Sequence, residues 1–113
     1  MRAGKTNRLV LVSCKNLREA RRLARAAVVG KLAACANISL QPVESLYAWK
    51  GKVEIAREYL LTLKTTTRNL APLEREVQRL HSYEVPEFIV VPIVAGSAEY
   101  LAWMESSVGR TTH

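Results

Sequence analysis

Residues 45–65 read SLYAWKGKVEIAREYLLTLKT, and this stretch predicts the β-hairpin around which the rest of the chain is arranged. Apolar side chains occupy most odd positions from Val53 to Leu63, and polar side chains occupy most of the even ones. Such a period of two is typical of strands, whose side chains point alternately to opposite faces. Gly51 tolerates a positive φ, so we expect a two-residue turn at Lys50 and Gly51.

This turn fixes the register of the two hairpin strands. It pairs Trp49 with Lys52, Tyr47 with Glu54, and Leu46 with Ile55. Because directly opposed residues share a face, one face of the hairpin is apolar and contains Leu46, Ala48, Val53 and Ile55. The other face carries aromatic and charged side chains, which are chemically suited to ligand binding: Tyr47, Trp49, Glu54, Glu58 and Lys64.

The length and composition predict one domain, residues 1–113, with an ordered core at about 8–108. No run approaches the ~20 apolar residues of a membrane span. The opening residues MRAGKTNRLV also lack the apolar core of a signal peptide. We therefore expect a cytoplasmic protein, in which Cys14 and Cys35 are free thiols because they form no CxxC pair.

The positive charge is concentrated in the first third of the chain. Residues 1–34 hold nine Lys or Arg against Glu19 alone, although the net charge of the whole chain is +7. Arg18, Arg22 and Arg25 follow a helical spacing and would share one helix face. A basic stripe of this kind is able to bind phosphate backbones, but it has no interleaved aromatic residues to stack bases. A solvated helix face is favoured over nucleic-acid binding.

The patterns along the chain predict alternating strands and helices. In order they are a strand at 8–14, a helix at 17–32, a strand from 34 that Pro42 interrupts before it continues to 49, the second hairpin strand, a helix from about 70 to 81, an edge or bulged strand at 88–95 containing Pro92, and a short helix ending at 108. Asn16 with Glu19 resembles a capping box at the start of the first helix. The tail at 110–113 is predicted to be disordered.

The predicted order β-α-β-β-α-β, followed by one more helix, indicates an α+β fold of the ferredoxin-like type. In that fold the helices cover only one face of an antiparallel sheet. The other apolar surface, and the long hairpin, then need a partner. Self-association is the simplest way to supply one.

Four blocks of the sequence resemble the signatures of the CutA divalent-cation-tolerance family. They are LAACANI at 32–38, SLYAWKGKVE at 45–54, LKT at 63–65 and HSYEVPE at 81–87, and Trp103 in YLAWMESS fits the last helix of the family. The resemblance extends over about 9–108. It implies a ferredoxin-like protomer in a tight homotrimer, with long hairpin strands that join neighbouring sheets and a fold shared with the PII signalling proteins.

The resemblance also implies binding of copper and other divalent cations. Bacterial members are associated with copper tolerance, and animal members with anchoring or processing of a membrane-linked acetylcholinesterase. No catalytic reaction is implied. The metal ligands of the family are a Cys at the end of the first strand and a His after the second helix, which correspond to Cys14 and His81. Some members carry a second, adjacent His, whereas this chain has Ser82 there.

Each candidate residue also has a purely structural interpretation. Thiolate and imidazole are suitable copper donors, but two side chains do not complete a coordination shell. Cys35 lies in an Ala-rich segment and is favoured as a small buried hydrophobe. A mixed set of side chains is compatible either with a ligand cleft between subunits or with an interface network: Tyr47, Trp49, Glu58, Lys64, His81, Tyr83 and Glu87.

The leading hypothesis is a homotrimeric copper-binding protein of metal tolerance or homeostasis. The alternative is a PII-like small-molecule sensor or protein scaffold, with a ligand cleft between subunits and a protein partner that the sequence does not name. Catalysis is not expected, because the sequence contains no Ser-His-Asp order, phosphate-binding Gly loop or metal-hydrolase motif.

Overall fold

The structure is a computed structural model that describes residues 1–109. Its elements are β1 (Arg2–Ala3), β2 (Asn7–Cys14), α1 (Leu17–Val29), β3 (Cys35–Ile38), β4 (Val43–Trp49), β5 (Lys52–Thr66), α2 (Leu70–Leu80), β6 (Ile89–Pro92), β7 (Ala95–Gly96) and α3 (Ala98–Ser107). A short 3₁₀ turn, Thr67–Asn69, precedes α2. The disorder predicted for 110–113 concerns residues outside this description.

The main sheet has the strand order β3-β5-β2-β6, and β4 pairs with the part of β5 nearest the hairpin turn. All of these pairings are antiparallel. The α+β fold of ferredoxin-like element order is therefore confirmed. Strands β1 and β7 form a separate two-stranded ribbon, which the sequence patterns did not predict because each strand has only two residues.

The hairpin has the register that the sequence predicted. Trp49 lies opposite Lys52, and Leu46 lies opposite Ile55. Lys50 and Gly51 have φ angles of 53° and 79°, which gives the type I′ turn that matches the twist of two-residue hairpins. At 15 residues, β5 is long enough to pair with β4 at one end and with β2 and β3 at the other.

Two predicted strands are shorter in the structure than in the sequence analysis. The segment from 34 to 40 is a regular strand only over Cys35–Ile38. Pairing with β5 resumes at Val43, after Pro42. The segment from 88 to 95 is regular only over Ile89–Pro92, which forms an edge of the sheet. Both interruptions lie beside a proline, which has no N–H to donate to a strand ladder.

Helix α1 ends at Val29, three residues before the predicted end. The N–H of Lys31 bonds to Val28 O and that of Leu32 to Ala27 O, which is the pattern of a Schellman motif. Lys31 adopts the left-handed conformation, with φ of 60°. Gly30, the residue suited to that conformation, stands one position too early, and Lys31 adopts it instead.

The core lies between one sheet face and the helices α1 and α2. Side chains from β2 and β5 alternate into it and meet the apolar stripes of the two helices: Val10, Val12, Leu61, Leu63, Leu23, Leu73 and Val77 are all buried. Helix α3 covers one end of the opposite sheet face, where Asn7 Nδ2 donates to Leu101 O at 3.2 Å. None of the helices within 1–109 has the length and apolar character needed to cross a bilayer.

Candidate metal centre and adjoining cleft

Three elements end or begin at one point on the helix side of the sheet. Cys14 is the last residue of β2, Glu19 lies in the first turn of α1, and His81 directly follows α2. One potential ligand atom from each residue lies within 4.8 Å of the other two. The structure therefore brings together the two candidate ligands that the sequence resemblance implied and adds a carboxylate.

The hydrogen bonds of His81 fix its tautomer. Its Nε2 lies 2.8 Å from the carbonyl oxygen of Ser13, which can only accept, so Nε2 carries the proton in the neutral ring. Nδ1 is then the acceptor, and it receives the backbone N–H of Tyr83 at 3.1 Å. Both ring nitrogens are engaged. A metal ion would gain Nδ1 as a ligand only after the bond from Tyr83 is released.

Glu19 is the residue of this group that the sequence analysis assigned only to capping. Asn16 Oδ1 accepts from the Glu19 N–H at 2.8 Å, as in a capping box. The Glu19 carboxylate, however, accepts from the N–H groups of Lys15 at 3.2 Å and Ser82 at 2.7 Å. Burial alone would raise its pKa, but the hydrogen bonds from Ser82 and Lys15 and the proximity of His81 outweigh burial and lower it. Glu19 is therefore an anion at neutral pH.

The Cys14 thiol is fully buried within this group. Burial, with the nearby carboxylates of Glu19 and Glu58, raises its pKa to about 12. The thiol is thus protonated at neutral pH, and a bound cation would favour the thiolate by its own charge. Sulfur, nitrogen and oxygen donors suit copper and zinc. His81 Nδ1 lies 3.8 Å from Glu19 Oε2, and the longest separation in the group, at most 4.8 Å, would shorten if all three residues held one ion.

A cleft of about 680 Å³ adjoins the group of Cys14, Glu19 and His81, between the polar face of β4 and the loop after α2. Five of the residues selected from the sequence line it: Tyr47, Trp49, Glu58, Tyr83 and Glu87. Tyr83 Oη donates to Glu58 Oε2 at 2.8 Å and so joins the two walls. Burial and this hydrogen bond to a carboxylate raise the pKa of Tyr83.

The other selected residues lie at the far end of the sheet. Lys64 stands opposite Cys35 in the β3–β5 pairing, and six strand residues, about 20 Å, separate it from Glu58. Its Nζ lies 3.2 Å from Tyr100 Oη on α3. The Tyr100 ring in turn lies 5.3 Å from that of Trp103. The residues selected from the sequence therefore form two separate groups in the protomer. Tyr100, which the sequence analysis overlooked, belongs to the group that contains Lys64.

Comparisons with known proteins agree with this architecture. The sequence model of the family described as CutA1 divalent ion tolerance protein matches residues 8–107. The divalent-cation tolerance protein CutA of Thermus thermophilus is 41% identical over 89% of this chain and 97% of its own length. The chloroplastic protein CutA of Arabidopsis thaliana is 43% identical over 88% of this chain, which spans only 54% of that relative.

Solved structures show the same relationship. The Thermus thermophilus divalent cation tolerance protein superimposes with a TM-score of 0.89 at 40% identity, over 91% of this chain and 99% of that one. CutA1 from Oryza sativa gives a TM-score of 0.89 at 39% identity, over 94% and 96% of the two chains. With both the sequence and the fold matched over most of its length, the chain belongs to the CutA1 divalent ion tolerance protein family.

Proposed function

We propose that this chain, as a single CutA-type domain, binds a divalent metal ion at Cys14, Glu19 and His81 and acts in metal tolerance. The convergence of these three donors within 4.8 Å supports the proposal. Relatives named for divalent-cation tolerance support it independently. Copper is the favoured ion, because Cu²⁺ lies at the top of the stability order for nitrogen and sulfur donors.

The proposed activity is binding and not turnover. All three donor side chains are buried, so a substrate could not share the coordination shell without local opening. Each donor is also held by a neighbouring backbone or by packing, as in sites that retain an ion. The metal would convert the Cys14 thiol to a thiolate ligand and offset the charge of Glu19.

We also propose that the chain assembles as a homotrimer through its hairpin. The apolar hairpin face is exposed in the protomer, with Leu46, Val53 and Ile55 at 61%, 72% and 65%. Burying such a surface on a second copy would stabilise an assembly. We propose that Cys35 and Lys64, in the β3–β5 pairing, and Trp103, on α3, also belong to this interface. The cytoplasmic location remains a prediction, since relatives are described as chloroplastic or periplasmic.

Calorimetric titration with Cu²⁺, Zn²⁺ and Mg²⁺ under nitrogen tests the metal proposal. We expect Cu²⁺ to bind most tightly, and we expect Cys14→Ser and His81→Ala each to weaken it by at least about tenfold. Cys35→Ser is the matched control, because it removes the other thiol. Unchanged copper affinity and stoichiometry in both Cys14→Ser and His81→Ala would refute this site.

A further inference from the structure

The cleft beside the metal centre is acidic, although the chain as a whole has a net charge of +7. Glu58, Glu84 and Glu87 line it, and within residues 1–109 no Lys, Arg or His side chain does so. We propose that this cleft binds a small organic cation of the amine, quaternary ammonium or guanidinium type. This ligand is distinct from the metal ion proposed above. It would occupy the cleft for which the sequence suggested an organic ligand of unstated class.

Glu58 supplies the charge to which such a ligand would bind. It is only 8% exposed, and it accepts one hydrogen bond, from Tyr83 Oη to its Oε2 at 2.8 Å. In the part of the chain that the structure describes, it has no ion-pair partner. A buried carboxylate without a counter-ion is unfavourable. A cation in the cleft would offset that cost.

Aromatic rings form the rest of the recognition surface. Tyr47 and Trp49 lie two residues apart on one face of β4, and they are 43% and 39% exposed despite their size. Tyr83 lies on the opposite wall. Ring faces attract cations within about 6 Å of the centroid. The Trp49 ring already attracts one cation, since Lys50 Nζ lies 5.8 Å from its centroid, although Lys50 does not line the cleft.

The lining favours an organic cation over a metal ion. Among the described residues, the donor group of Cys14, Glu19 and His81 is the one in which three potential ligand atoms come together, and the cleft carboxylates form no such group. Val85 and Pro86 add apolar surface that would contact a hydrocarbon body. A volume of about 680 Å³ also lies in the usual range for small-molecule sites.

Three ligands that share one aromatic body but differ in charge test the proposal on the unmodified protein. They are 2-phenylethylammonium, which is positive, 2-phenylethanol, which is neutral, and phenylacetate, which is negative. In calorimetry at neutral pH we expect the ammonium compound to bind at least about tenfold more tightly than the alcohol, and phenylacetate not to bind. Equal affinities for the ammonium compound and the alcohol, or tighter binding of phenylacetate, would overturn the proposal.

Variants then locate the site. Glu58→Gln should weaken 2-phenylethylammonium by about tenfold or more, whereas Glu74→Gln, an exposed carboxylate on α2, should leave its affinity unchanged. Far-ultraviolet circular dichroism establishes that each variant is folded. Unchanged affinity in folded Glu58→Gln would also overturn the proposal. Cys14→Ser should retain amine binding, so failure of the metal site and failure of the cleft give different results.

Discussion

The carboxylate of Glu19, near the start of α1, accepts a 2.7 Å hydrogen bond from the backbone N–H of Ser82, 63 residues later in the chain. The segment that begins at His81 and Ser82 also forms a wall of the cleft. A single carboxylate therefore holds His81 and the cleft wall against the start of a core helix. Its charge state should affect the stability of both.

Replacement of Glu19 by Gln should lower the free energy of unfolding by about 1–3 kcal/mol at pH 7, because the hydrogen bonds it accepts are to a charged group. The folded-state pKa of Glu19 is below its ordinary value of 4.5. The contribution is therefore fully present above that value and is lost as the pH falls through it towards the folded-state pKa. Urea unfolding of both proteins from pH 7 to pH 3, at one protein concentration, measures the difference.

Glu74→Gln serves as the control for that comparison, since its carboxylate is exposed on α2. We expect it to change the unfolding free energy little at any pH. A Glu19→Gln effect that stayed constant down to pH 3 would show that the charge of Glu19 is not what stabilises the contact.

The hairpin could be predicted down to its register because two local signals agree. The alternation of side chains sets the faces, and the Gly51 turn sets which residues are opposed. For Glu19, local signals of this kind predict the contact with Asn16 but not the one with Ser82. Its spacing from Asn16 is a local pattern and was recognised, but its bond to Ser82 depends on how α1 and the segment after α2 meet, which no local pattern encodes. Glu58 and Lys64, by contrast, were grouped by side-chain type alone, although six residues of a strand place them about 20 Å apart.

Lys31→Gly should stabilise the protein by roughly 0.5–1 kcal/mol. Lys31 has a φ of 60° at the end of α1, a conformation that is unfavourable for a residue with a Cβ and free of that strain for glycine. The hydrogen bonds of the helix end use backbone atoms only, so they survive the change. Thermal and urea unfolding measure the expected gain in the free energy of unfolding. Lys31→Ala keeps the Cβ and removes the charge, and it should not reproduce the gain.

Ile55→Arg should prevent assembly without unfolding the protomer. Ile55 is 65% exposed on the apolar hairpin face, so a protomer can accommodate a longer charged side chain, whereas a face buried against another copy cannot. Light scattering at micromolar concentration measures the mass. Leu40→Arg is the matched control, because Leu40 is equally exposed, at 67%, but lies outside the hairpin. A trimer in Ile55→Arg, or a monomer in the unmodified protein, would contradict assembly through this face.

Metal binding through His81 Nδ1 should release the backbone N–H of Tyr83. That N–H donates to Nδ1 at 3.1 Å, and a ring nitrogen cannot give one lone pair to both a proton donor and a metal ion. Zn²⁺ is the suitable probe because it is diamagnetic. On its addition we expect faster hydrogen exchange at the Tyr83 amide. The Ala34 amide, which donates to Lys64 O at 2.7 Å in the distant β3–β5 region, provides the internal control and should not change.

If Zn²⁺ binds stoichiometrically while the Tyr83 amide keeps its protection, Nδ1 is not a ligand. Binding through Nε2 would require loss of the bond to Ser13 O instead, and the nitrogen shifts of the His81 ring distinguish the two cases.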